Sequence, residues 1–110
     1  MNILENIKYN LSESNNFREN SLYKNIKYNE SENKLYIELN NDKIKKKDDY
    51  RFIIIYDEYD IIIYDYDEYY SEDKIESFSI NYIQFEKDRN DMILSDIIDN
   101  FFLSYHFYLR

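Results

Sequence analysis

Phe52-Ile53-Ile54-Ile55-Tyr56-Asp57-Glu58-Tyr59-Asp60-Ile61-Ile62-Ile63-Tyr64-Asp65 decides how this chain folds. Isoleucine branches at Cβ, which restricts it in a helix and suits it to a pleated strand. Each isoleucine triplet is short, flanked by tyrosine and bounded by acids, as strands are. The segment therefore reads as two strands, about Tyr50 to Tyr56 and Tyr59 to Tyr66, reversed at Asp57-Glu58. Three apolar residues in a row place side chains on both faces, so this hairpin belongs in the middle of a sheet.

Further strands flank it. Leu22 to Asn29 reads as a strand with Leu22, Lys24, Ile26 and Tyr28 on one side, and Lys34 to Asn40 alternates, with Leu35, Ile37 and Leu39 inward. The polar run Glu30-Ser31-Glu32-Asn33 joins them as a hairpin turn. Residues 41–49 hold Lys43, Lys45, Lys46 and Lys47 and read as an exposed loop. A fifth strand is expected from Ile75 to Phe85, with Phe78, Ile80 and Tyr82 on one side. Leu94, Ile97, Ile98, Phe101 and Tyr105 recur at helical spacing, with Ser95, Asp96, Asp99 and Ser104 opposite, which predicts a helix over about Asn90 to Tyr108. Asp88 or Asn90 suits its start, Asp91 and Asp96 its positive end and Arg110 its negative end. Ile3, Leu4, Ile7 and Leu11 share a face and predict a short N-terminal helix. The expected fold is α+β: one domain over residues 1–110, an antiparallel sheet of about five strands, and the C-terminal amphipathic helix packed on one face.

Glycine, proline, cysteine, tryptophan, alanine, valine and threonine are all absent from the 110 residues. What remains is an alphabet of A/T-rich codons, so abundance of asparagine or tyrosine carries little functional weight by itself. Without cysteine there are no disulfides, thiol nucleophiles or thiolate metal sites. Without glycine the phosphate-cradling loops of nucleotide enzymes cannot be built in their usual form. No apolar run reaches the roughly 18 residues of a membrane span, and the N-terminus lacks a signal-peptide pattern, so a cytoplasmic protein with no membrane partner is expected.

Candidate chemical motifs resolve into structural ones. The run from Asp65 to Glu76 has the length of an EF-hand loop, but Tyr70 stands where glycine is needed and Tyr69 where an oxygen ligand is. His106 is the only histidine and sits near a helix end that favours it without chemistry. Paired carboxylates can hydrolyse glycosides, but a deep cleft is hard to build in so small a domain. No catalytic residue, metal or cofactor is expected. The four lysines of the loop sit on a chain of net charge −9, poor electrostatics for direct nucleic-acid binding.

Charge is distributed unevenly. Residues 1–51 carry ten Lys/Arg against nine Asp/Glu, while residues 52–110 carry four against fourteen. Lysine codons are at least as A/T-rich as glutamate codons, so codon bias does not account for the asymmetry. From Phe52 to Asp73 there are eight carboxylates, six tyrosines and no Lys or Arg. Solubility alone would explain exposed acids beside an isoleucine-rich hairpin. The sharper expectation is a surface in which carboxylates take the places of phosphates and tyrosines supply flat contact area for a basic partner. The residues expected to meet that partner are Asp57, Glu58, Tyr59, Asp60, Asp65, Tyr66, Asp67, Glu68, Tyr69, Tyr70, Glu72 and Asp73.

In composition and expected action the chain resembles, by analogy, phage anti-defence proteins of the anti-CRISPR or anti-restriction kind. That resemblance implies a small acidic inhibitor, not an enzyme, blocking a basic nucleic-acid-binding protein such as a CRISPR or restriction nuclease. Two alternatives stand beside it: an immunity protein neutralising a nuclease toxin, and a structural protein forming homo-oligomers through an exposed strand edge. A monomer or a homodimer is expected.

Overall fold

The isoleucine triplets pair one step out of register with each other. In the computed structural model, Ile54 faces Ile63 and Ile55 faces Ile62, while Ile53 faces Tyr64 and Tyr56 faces Ile61. The structure describes residues 2–14, 22–40, 51–88 and 93–108, with side chains of the last segment described through Ser104. The lysines at 43–47, Tyr50, Asn90, Asp91 and Arg110, together with the side chains of Tyr105 and His106, lie outside that description.

Five antiparallel strands form one sheet in chain order: β1 (Tyr23–Asn29), β2 (Lys34–Leu39), β3 (Arg51–Asp57), β4 (Asp60–Asp65) and β5 (Glu76–Asn81). The expected mixed α+β architecture is what forms. Leu35, Ile37, Phe52, Ile54, Ile61 and Ile63 point to one face and are fully or almost fully buried there. Two helices cover that face, α1 (Ile3–Ser12) and the C-terminal helix Leu94–Tyr108. Asn2 starts α1 by accepting the Glu5 amide at 2.9 Å, and Leu4, Ile7 and Leu11 supply its buried stripe. Each such side chain contributes about 1.5–3 kcal/mol by leaving water. The radius of gyration, 13.7 Å, is that of one domain of this length, about 13 Å.

The opposite sheet face is more open. Ile53 and Ile62 are buried there, and Ile55 is half-buried. A single helical turn, α2 (Tyr66–Tyr69), follows β4, and another short helix, α3 (Tyr82–Lys87), follows β5; the C-terminal helix is then α4.

Three local expectations are corrected. Lys24 does not share a face with Ile26: the β1–β2 register shifts between Tyr23 and Asn25, so Tyr23 turns inward and Lys24 outward to pair with Glu38 at 3.2 Å. The fifth strand ends at Asn81, because the Asn81 side chain accepts the Gln84 amide at 2.8 Å and starts α3, whose far end Asp88 caps. The inward stripe of α4 is rotated from the expected one, to Ser95, Ile98, Asp99 and Phe102. Asp99 can be buried because the Tyr23 hydroxyl donates a short hydrogen bond to it. Phe102 packs edge-on against Tyr23 with centroids 6.0 Å apart and lies 5.0 Å from Phe52, while Phe101 stacks on Phe78 at 4.9 Å. These rings carry α4 across the sheet from β1 to β5.

Candidate functional site

The expected partner residues fall at the two ends of β4, five residue steps or roughly 17 Å apart. Asp57, Glu58, Tyr59 and Asp60 form the tip between β3 and β4. Asp65, Tyr66, Asp67, Glu68, Tyr69 and Tyr70 form the opposite end, with Glu72 and Asp73 exposed on the turn after α2. The twelve residues are thus two groups, one at the tip of the β3–β4 hairpin and one at its open end on α2 and the turn that follows, and the two groups differ in character.

At the tip, Asp57 and Asp60 are directly opposite partners, an arrangement of like charges that costs stability. Glu58 has φ 50°, the left-handed region that crowds a Cβ. The only other non-glycine residue there among those described, at φ 53°, is Asn33, a type that tolerates it better. Tyr59 is 57% exposed. Its carbonyl accepts the Tyr82 amide at 2.7 Å, and Tyr82 packs edge-on against Tyr56 at 5.7 Å, so the start of α3 braces the tip. Among the described residues no ion pair involves Asp57, Glu58 or Asp60. No described cation therefore compensates their charge at ion-pair distance.

The opposite end is a knuckle of tyrosines interleaved with cations. Asp65 caps α2 by accepting the amides of Asp67 at 3.0 Å and Glu68 at 3.3 Å, so its carboxylate is engaged within the fold. Tyr64, Tyr69, Tyr70 and Tyr66 follow one another edge to face at 5.0–5.2 Å. Lys34 and Lys74 lie 4.8 and 4.6 Å from the centroid of Tyr69, and the Arg51 guanidinium 4.0 Å from that of Tyr66. Arg51 Nη2 also sits 3.8 Å from Asp67. The window from Phe52 to Asp73 lacks basic residues, yet the fold brings three to its side. Arg51 and Lys74 border that window in sequence and were a legible signal; Lys34 arrives only through the sheet.

Burial pushes the Tyr36 hydroxyl above its usual pKa, helped by hydrogen bonds with Tyr70 and Glu32. Tyr64 is raised as well, first by burial and then by the charges of Glu76 and Asp57. Both tyrosines stay neutral at physiological pH and act as donors and flat surfaces. Among the described residues no set of three His, Cys, Asp or Glu is arranged to hold a metal ion.

Sequence reasoning missed one further feature. Between β1 and α2 the open sheet face carries a groove of about 360 Å³, lined by Asn25, Lys27, Tyr36, Arg51, Tyr66 and Tyr70 among others. Its residues come from four separate segments, so no linear motif announces it.

No protein-family model, curated protein or solved structure matches the chain. No helix among the described residues is long and apolar enough to cross a membrane.

Proposed function

We propose that the protein is a small acidic inhibitor that docks the β3–β4 tip into the nucleic-acid groove of a basic protein, as an anti-CRISPR or anti-restriction inhibitor would. The observation that carries this reading is the tip itself: Asp57, Glu58 and Asp60 without ion-pair partners among the described residues, beside an exposed Tyr59, on the end of a buried isoleucine ladder. Facing like charges and a left-handed glutamate both oppose folding, so selection for stability alone does not favour them. Carboxylates on a rigid support attract a cationic groove at long range, and the flat tyrosine adds contact area with few rotamers to lose. The knuckle is the less suited end, because Asp65 is engaged in capping and Asp67 lies beside Arg51.

The test is affinity capture from cells in which the protein occurs, followed by a salt titration of what is caught. The reading expects a basic nucleic-acid-binding protein whose nucleic-acid binding is lost on capture. Asp57→Asn with Glu58→Gln and Asp60→Asn should abolish capture at low salt, while Glu13→Gln with Glu30→Gln should not. Equal loss from both sets would show that net charge, not the tip, does the binding.

A second reading has its own observation. β5 is an edge strand, and Ile75 just before it and Ile83 in the first turn of α3 just after it are 58% and 42% exposed, which suits edge-to-edge pairing of two copies. Sedimentation distinguishes it: a stable dimer broken by Ile75→Lys would favour the assembly reading. A toxin gene immediately upstream would favour an immunity protein instead.

A further inference from the structure

We propose that the groove on the open sheet face is a binding site for a nucleoside monophosphate-sized ligand, a planar heterocycle bearing one phosphate. Arg51 is the first ground. Its Nε is shut off from solvent with no hydrogen-bond partner, and its Nη2 lies 3.8 Å from Asp67, too long for a hydrogen bond. Arginine ordinarily offers these two donors together to one oxyanion, and buried donors are ordinarily satisfied. A change in the Arg51 side-chain torsions that turned this edge toward the groove, with the guanidinium kept over the Tyr66 ring, would replace one long contact with two charge-assisted hydrogen bonds.

The walls supply the rest. Tyr36, Tyr66 and Tyr70 present rings on the α2 side, and a heterocycle stacks on such rings whatever its sequence of atoms. Asn25, across the groove, makes no side-chain hydrogen bond among the described residues, and its amide carries both the donors and the acceptor that a base edge needs. Lys27 is exposed beside it and forms no ion pair among the described residues, free to meet the phosphate. The chain has no glycine, so side chains do the work that a backbone cradle does elsewhere.

Size and charge separate this ligand from a nucleic-acid strand. About 360 Å³ lies in the small-molecule range and holds one nucleotide. Glu32 and Glu38 also line the groove but are ion-paired to Lys34 and Lys24, which leaves Lys27 and Arg51 to meet one phosphate, while the net charge of −9 on the chain opposes a long polyanion.

The experiment is an amide NMR titration of the full chain with the four common nucleoside monophosphates, their nucleosides, inorganic phosphate, benzoate and an oligonucleotide. At least one monophosphate should give saturable shifts at Asn25, Lys27, Tyr36 and Arg51, at least tenfold tighter than its nucleoside and than phosphate. Arg51→Gln should weaken it at least tenfold with the remaining spectrum preserved. If that variant does not fold, Arg51→Lys, which keeps the charge but loses the fork, and Lys27→Gln should each weaken it severalfold. Absence of saturation at millimolar nucleotide, equal binding by phosphate or benzoate, tighter binding by the oligonucleotide, or unchanged affinity in the folded Arg51 variant would each overturn the proposal.

Discussion

Replacing Glu58 with asparagine should make the protein more stable while removing one of its charges. The backbone at Glu58 has φ 50°, where a residue with a Cβ is strained by roughly 1–2 kcal/mol. Asparagine is found in that region several-fold more often than other residues with a Cβ, and a factor of about five corresponds to roughly 1 kcal/mol. A second gain comes from taking a charge away from the facing Asp57 and Asp60, and this part is screened by salt. Glu58→Gln isolates it, because glutamine removes the charge but keeps the backbone strain. Thermal melts should show Glu58→Asn raised by about 4 °C at high salt, from about 1 kcal/mol in a domain of this size, and by more than that at low salt. Glu58→Gln should be raised less, and only at low salt. If Glu58→Asn melts no higher than Glu58→Gln, the strain argument is wrong. If it melts higher and still captures the partner as well as the parent chain, the case that the glutamate is kept for binding fails.

Other expectations follow from the core and the knuckle. Phe102→Ala should cost about 3–5 kcal/mol in urea melts, since Phe102 is fully buried between Tyr23 and Phe52. Tyr23→Phe should cost about 1–3 kcal/mol by taking a hydroxyl donor from buried Asp99. Burial first, and the hydrogen bond to Asp99 second, raise the Tyr23 pKa above its unfolded value of 10.0. The folded chain then holds a proton that the unfolded chain releases, so this contribution is complete below pH 10 and declines above it, by about 1.4 kcal/mol per pH unit for the one group. Urea melts of Tyr23→Phe should show a shallower alkaline slope than the parent by that amount; equal slopes would contradict the assignment. Asp65→Ala should cost about 0.5–2 kcal/mol by uncapping α2, visible as loss of the near-ultraviolet tyrosine circular dichroism.

The meander could be read from sequence because its strands carry strong local signals. Isoleucine triplets and the alternation of Leu35, Ile37 and Leu39 specify strands without help from distant residues. The extra residue at Lys24 and the rotation of α4 depend instead on which partner wins a place in the core. Tyr23 and Asp99 take theirs together, so neither residue reveals the outcome alone. The turn of helix after Asp65 was hidden because four residues show no period, and only the cap on Asp67 and Glu68 marks it. For the candidate site, the acids and tyrosines were visible as residues, but their division into two ends follows from the length of β4. The cations that temper one end come partly from β2, which the local composition does not mention.

The bond between Tyr23 and Asp99 joins positions 76 residues apart, whereas every strand in the sheet pairs only with its sequence neighbours. Short-range closures are entropically cheap and can form in succession during synthesis; the long one has to await emergence of α4. A ribosome-tethered chain truncated before residue 94 would therefore display a nascent sheet whose greasy side still lacks its second helical cover. Completion of the C-terminal segment is what seals it.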